Sequence, residues 1–170
     1  MGMPCCVLVF FNRDKVMSVH SSHHRRTVPE LMAYKNKQKI VALTAYSAPF
    51  ARFLDKSLDM ILVGDSTAMV GYAMRDTLSI TVEQMTAHGA AVVQSTEQAC
   101  VVIDMPFGSF ESSVEQAFEQ AAFMLAHSGA AAVKIEGGAA LAETTRFLVQ
   151  RGIPVLAHVG LMPQYVNTMG

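Results

Sequence analysis

Residues 100–104, Cys-Val-Val-Ile-Asp, and residues 132–136, Ala-Val-Lys-Ile-Glu, are apolar runs that finish on a carboxylate. Three further runs have the same form. They are residues 40–46, 60–65 and 154–158, which close on Tyr46, Asp65 and His158. Short, nearly continuous apolar runs of this kind read as strands buried on both faces, the mark of a parallel sheet. Amphipathic segments of helical length separate them, so the chain reads as consecutive β-α units. In such folds the C-terminal ends of the strands gather at one edge, where chemistry is done.

Working outward, the punctuation supports the same division. A short helix is expected over 28–35, with Pro29 in its first turn, and helices over 48–57, 82–96, 114–127 and 139–150. In the first of the longer helices, Phe50, Phe53 and Leu54 mark one apolar face. Thr81-Val-Glu-Gln84 and Ser113-Val-Glu-Gln116 have the form of capping boxes. Gly129 follows the third of the four as a left-handed cap. Pro106 cannot continue a ladder and ends the third strand. Residues 66–80 form a connection of fifteen residues, long enough for a lid or binding loop. Residues 161–170 read as a loop or the start of another helix.

Residues 1–26 break the pattern and form an N-terminal extension to a domain over 27–170. The segment that opens at Met17 resembles an ordinary polar arm, which makes Met17 the expected start. The apolar run 5–11 is too short to span a bilayer and has no preceding basic residue, as a signal peptide requires. A small interfacial anchor is the rival reading of that run.

Composition narrows the class. Half of the 170 residues are apolar, 16% are charged and the formal net charge is −1. That balance suits a covered parallel sheet and offers no footprint for nucleic acid or an anionic membrane. Three cysteines, two of them vicinal, speak against a disulfide framework and suit the cytoplasm. The twelve methionines read as core filler. A phosphate loop, nucleophile elbow, His-Glu-x-x-His helix and Cys-x-x-Cys pair are all missing, so redox-cofactor and acyl-enzyme chemistry lack support.

Asp65 and Asp104 each end a buried strand, where an ionised carboxylate is costly unless neutralised. A divalent cation between the two would resolve their repulsion, and oxygen ligands suit Mg2+. Taken singly, each aspartate is better explained as the cap of a following turn, and the groups that follow reverse that preference. Lys134 and Glu136 lie two apart on one strand and therefore share a face. They can hold an oxo acid and a metal, or form a buried structural pair. Gly137 and Gly138 directly follow, which permits close approach of a ligand. His158 ends the fifth strand either as a structural group or as a pocket residue. His88 and His127 read as packing or surface groups, and His20, His23 and His24 as solvated.

Several strings occur in a fixed order: Val63-Gly-Asp-Ser66, Thr77-Leu, Ile80-Thr81, Asp104-Met-Pro-Phe107, Val133-Lys-Ile-Glu-Gly-Gly138 and His158-Val-Gly-Leu-Met-Pro-Gln164. Over residues 27–170 the chain resembles the ketopantoate hydroxymethyltransferases (3-methyl-2-oxobutanoate hydroxymethyltransferases). The resemblance implies an α/β fold, a (β/α)8 TIM barrel of the phosphoenolpyruvate mutase and isocitrate lyase relatives, here reduced to about five β-α units. It implies transfer of a hydroxymethyl group from 5,10-methylenetetrahydrofolate to 3-methyl-2-oxobutanoate, giving 2-dehydropantoate for pantothenate and coenzyme A synthesis. Asp65, Asp104 and Glu136 would bind Mg2+. Asp65, Ser66, Asp104 and Lys134 would hold the oxo acid, with His158 in the same pocket. The full-length family forms cytoplasmic homo-oligomers.

The family's general base is a glutamate on a later strand, beyond the point matching Gly170, so no catalytic residue is assigned within the chain. The expectation is therefore an N-terminal fragment that lacks transferase activity and is poorly soluble through its open sheet edge. Departures from the family pattern gather around the 66–80 connection: Ser47, Ala68, Ala73, Arg75-Asp76 and Ser79 replace residues usual in the family. They bear on the folate side more than on the metal. The rival functions are an Mg2+-dependent lyase or mutase of the wider superfamily and a non-catalytic subunit that depends on a partner. A doubly wound five-stranded sheet is the structural rival, without a phosphate-binding turn to support it.

Overall fold

A computed structural model describes residues 24–169. The readings placed on the apolar run 5–11, on Met17 and on His20 and His23 lie outside those residues.

The five strands form one parallel sheet in chain order: β1 (Ala42–Thr44), β2 (Met60–Val63), β3 (Cys100–Asp104), β4 (Ala132–Glu136) and β5 (Val155–His158). Each pairs with its sequence neighbour, so every connection returns the chain to the same end of the sheet. That succession of adjacent parallel strands is the (β/α)8 arrangement over five units. The third and fourth strands fall where the sequence places them. The other three are shorter than the apolar runs, although Val41, Ala45 and Pro154 at the ends of those runs still bond to the neighbouring strand.

Helices α1 (Val28–Ala33), α2 (Ala48–Leu54), α3 (Thr67–Tyr72), α4 (Val82–Gln94), α5 (Val114–Ser128), α6 (Ala142–Gln150) and α7 (Val166–Met169) complete the fold. Thr81 caps α4 in a full capping box, its hydroxyl accepting from the Gln84 N–H while the Gln84 side chain accepts from Thr81 N–H. Ser113 completes only half of the second box. Its hydroxyl accepts from Gln116 N–H, but the Gln116 side chain turns to Ser112 and to the Gly108 carbonyl. Gly129 ends α5 at φ +74°, a conformation that disfavours a side chain.

The two faces of the sheet are separate cores. Ile61, Val63, Val101, Ile103, Val133, Ile135 and Val155 belong to the larger one, with Met85 and Val92 of α4 and Ala117, Ala121 and Met124 of α5. Gly89 is the point of closest approach: a Cβ there would stand 2.6 Å from Ile103 Cδ1 and 3.0 Å from Ser128 Cβ. The alternate residues Met60, Cys100, Val102, Ala132 and Leu156 form a second cluster, floored by Val28 and Leu31 of α1. The same strands bring their polar ends out above that floor.

Two expectations change. The 66–80 connection is not one loop, since its first part winds into α3 and turns out of it through Ala73 at φ +54°. The apolar stripe of α2 divides as well. Ala51 is buried and Leu54 packs on the core, whereas Phe50 and Phe53 are 68% and 83% exposed. A stripe of apolar residues shows which positions share a face, but not which neighbour covers it. Beyond α2, Asp55 is buried and its carboxylate accepts from the backbone N–H groups of Glu97, Gln98 and Ala99, at 2.8–3.2 Å. These amides turn the chain from α4 into β3.

Candidate metal and oxo-acid site

Period-two alternation decides which side chains meet. On β4, Val133 and Ile135 enter the larger core, so Lys134 and Glu136 take the opposite face. On β3, Val101 and Ile103 do the same and Asp104 joins Lys134, its register partner. Glu136 is in turn paired in register with His158. Asp65 and Ser66 arrive from the turn after β2, where Asp65 N–H donates to Asp104 Oδ2 at 3.1 Å.

Asp65, Asp104 and Glu136 are buried, and one oxygen of each lies within 4.8 Å of the others. Lys134 Nζ stands 2.9 Å from Asp104 Oδ2 and 3.1 Å from Glu136 Oε1. His158 Nδ1 donates to Glu136 Oε1 at 3.0 Å. The residues singled out in the sequence therefore converge. Ser66 Oγ lies 2.9 Å from the Tyr46 hydroxyl.

The charges explain each other. Burial, reinforced by the Asp104 charge, pushes the Asp65 carboxyl up to about 6. Burial pushes Asp104 up as well, against the opposing pull of Lys134. For Glu136, hydrogen bonds from His158 and Lys134 outweigh burial and hold the carboxyl below the usual range. Burial would discharge Lys134, but the facing charges of Asp104 and Glu136 prevail and keep it an ammonium. Three carboxylates against one ammonium leave a formal charge of −2, which one divalent cation cancels.

Two further observations fit an ion. Asp104 Oδ1 is buried with no hydrogen-bond partner among the described residues, an arrangement expensive for a carboxylate that has nothing to bind. Gly64 keeps room between Ser66 and Asp104, where a Cβ would lie 3.0 Å from Ser66 Oγ and 3.6 Å from the other carboxylate oxygen of Asp104, Oδ2. The donors are oxygen, a set that favours Mg2+ or Mn2+ over softer ions.

Three residues at or behind the site are not among the site residues expected from sequence, where His88 reads only as a packing or surface group. Gln164 is buried, and its Nε2 donates to Asp65 Oδ2 at 2.8 Å and to the Met105 carbonyl at 2.9 Å. A glutamine after a proline in a loop gives no signal of such a contact, although it stands in the string that starts at His158. Tyr46, at the end of the first apolar run, reaches Ser66. His88 supports Tyr46 from α4. Its Nδ1 donates to the Tyr46 carbonyl at 2.7 Å and its Nε2 accepts from the Tyr72 hydroxyl at 2.9 Å. His127 is a surface group bonded to the Phe123 carbonyl, and His24 pairs with Glu30 instead of being solvated alone.

Comparison with known proteins adds an independent line. A family model described as ketopantoate hydroxymethyltransferase matches residues 25–170. A 3-methyl-2-oxobutanoate hydroxymethyltransferase of Bordetella petrii is 55% identical over 154 residues, covering 91% of this chain and 56% of that protein. The 3-methyl-2-oxobutanoate hydroxymethyltransferase 1 of Pseudomonas aeruginosa matches to the same extent. The chain thus spans a little over half the length of the curated relatives it matches. Among solved structures, a 2,3-dimethylmalate lyase of the PEP mutase/isocitrate lyase superfamily superposes with a TM-score of 0.55 at 16% identity, covering 74% of this chain and 50% of that one. The phosphoenolpyruvate phosphomutase of Streptomyces platensis subsp. rosaceus gives 0.52 at 17%, covering 65% and 38%. At these identities the two structures speak for the fold alone.

Proposed function

The chain belongs to the ketopantoate hydroxymethyltransferase family, and on that premise we propose that its acidic pocket binds 3-methyl-2-oxobutanoate for hydroxymethyl transfer from 5,10-methylenetetrahydrofolate. The single observation that carries the reading is the buried group of Asp65, Asp104 and Glu136 around Lys134.

Asp65, Asp104 and Glu136 are the proposed ligands of a divalent cation, Mg2+ by the hardness of its donors. Bound there, the ion supplies Lewis-acid polarisation of the keto and carboxylate oxygens of a 2-oxo acid. Lys134, held charged by its two carboxylate neighbours, offers an N–H to those same oxygens. The Ser66 hydroxyl, set by Tyr46, orients the acid from the side of β2. His158, tied to Glu136, keeps that carboxylate ionised and walls the pocket at β5. No residue of this chain is assigned the base that removes the proton from the carbon next to the keto group.

The domain proposed over 27–170 is supported by the family match, which begins at residue 25. A reducing, cytoplasmic setting rests on the cysteine usage of the sequence, with which the buried free thiol of Cys100 agrees. Among the described residues no helix is long and apolar enough to cross a membrane. A homo-oligomer and the use of folate rest on the family resemblance.

The test is calorimetric titration of 3-methyl-2-oxobutanoate into the protein, with and without Mg2+. Binding that needs the ion and is lost in Lys134→Met is the expected result. Equal binding in EDTA, or none in either condition, would overturn the reading. Consumption of the oxo acid without folate would point instead to lyase or mutase chemistry.

A further inference from the structure

Gln164 touches two of the three proposed ligands. Its Nε2 donates to Asp65 Oδ2 at 2.8 Å, and its backbone N–H donates to Glu136 Oε2 at 3.4 Å. The orientation of the amide is fixed by chemistry. Its nitrogen faces a carboxylate and the Met105 carbonyl, both acceptors, and a flipped amide would set three acceptors against each other. The amide oxygen is therefore the atom left over. Oε1 is buried and has no partner among the described residues, an acceptor suited to a water or hydroxyl donor. The residue is only 3% exposed and lies 99 residues from Asp65 in the chain, so the contact is a product of the assembled fold.

We propose that Gln164 is a positioning residue of the cation site, which clamps Asp65 through its side chain and Glu136 through its backbone at the spacing a divalent ion requires. The inference rests on the metal reading above and adds a residue to it. Without the clamp, Asp65 loses its only side-chain donor among those described, and the mutual repulsion of the carboxylates is free to rotate it away from Asp104. Groups that hydrogen-bond to metal ligands commonly govern affinity by about 10–100-fold. Lys134 holds Asp104 and Glu136 but is not hydrogen-bonded to Asp65. Gln164 supplies the link that Lys134 does not.

The experiment titrates the purified chain with MnCl2 alone and follows the loss of the six-line electron paramagnetic resonance signal of free Mn2+. Gln164→Leu keeps the bulk of the side chain and removes its amide. We expect its Mn2+ affinity to fall by about ten-fold or more. Thr81→Ala, which loosens a helix cap away from the site, serves as the control for stability alone and should keep the affinity of the unsubstituted chain. Should Gln164→Leu fail to fold by far-ultraviolet circular dichroism, Gln164→Asn, one methylene too short to reach Asp65, carries the same expectation. Equal affinity in the folded Gln164 variant and the unsubstituted chain overturns the clamp and leaves the metal site standing. An equal loss in Thr81→Ala overturns it too. No Mn2+ binding by the unsubstituted chain overturns the metal reading itself.

Discussion

The two faces of β3 and β4 are built from neighbouring residues under opposite rules. On one face Ile103, Val133 and Ile135 are buried in an apolar core shared with helices α4 and α5. On the other, Asp104, Lys134 and Glu136 are just as buried but meet one another. The first face is held by area and tolerates any filling of the right shape. The second is held by charge balance, and a group removed there leaves its partner ionised and alone. The comparison shows where stability and chemistry part within one sheet: the register that closes the core also concentrates charge.

Loss of Lys134 should break the polar face hardest. Lys134→Met leaves Asp104 and Glu136 without their ammonium, and we expect about 3–5 kcal/mol less stability at pH 7.5, read from urea unfolding in EDTA. A change under 1 kcal/mol would mean that the carboxylates are neutralised by other means. Its apolar counterpart, Ile103→Ala, removes a fully buried side chain and should cost about 2–5 kcal/mol. That cost should be independent of pH, which separates the two faces.

Asp65→Asn should act in the other direction. The Asp65 carboxyl is raised from 3.8 to about 6, so the folded protein favours its protonated form. Its favourable contribution is complete below pH 4 and is lost as pH rises through about 6. The amide variant does not titrate, so in EDTA it should be more stable than the unsubstituted chain above pH 6, on the order of 3 kcal/mol, and equal to it near pH 4. A difference that stays flat between pH 4 and 7 would show that Asp65 is not strained by its neighbours. Adding Mg2+ at pH 7.5 should stabilise the unsubstituted chain and leave Asp65→Asn unmoved. The smallest effect is expected far from both faces. Thr81→Ala removes the α4 cap and should cost about 1 kcal/mol at every pH.

The period-two pattern made most of this legible in the sequence. Apolar residues at 101, 103, 133 and 135 force 104, 134 and 136 onto one face, and the carboxylates at 65 and 104 stand out because strands rarely end that way without a reason. Short range was also readable in the capping box at Thr81. What escaped was set at long range. Gln164 reaches Asp65 across the whole fold and has no local signature. Phe50 and Phe53 share a helical face with Leu54, but whether a neighbour lies over them is decided by packing, and Ala51 took the buried position. The half-made box at Ser113 failed because Gly108 and Ser112 offered Gln116 other partners.

Asp55 sits far from that chemistry, yet it has a consequence for how the molecule opens. Three successive amides, those of 97, 98 and 99, are held by one side chain from the far end of α2. Their hydrogens can exchange with solvent only when that carboxylate lets go. Burial opposes its ionisation, but the amides outweigh burial and hold its proton affinity below that of an ordinary aspartate. Protection of these amides should thus last as the solution is acidified toward the ordinary aspartate range and fail together below it, a clock for the detachment of α2 that runs independently of the pocket.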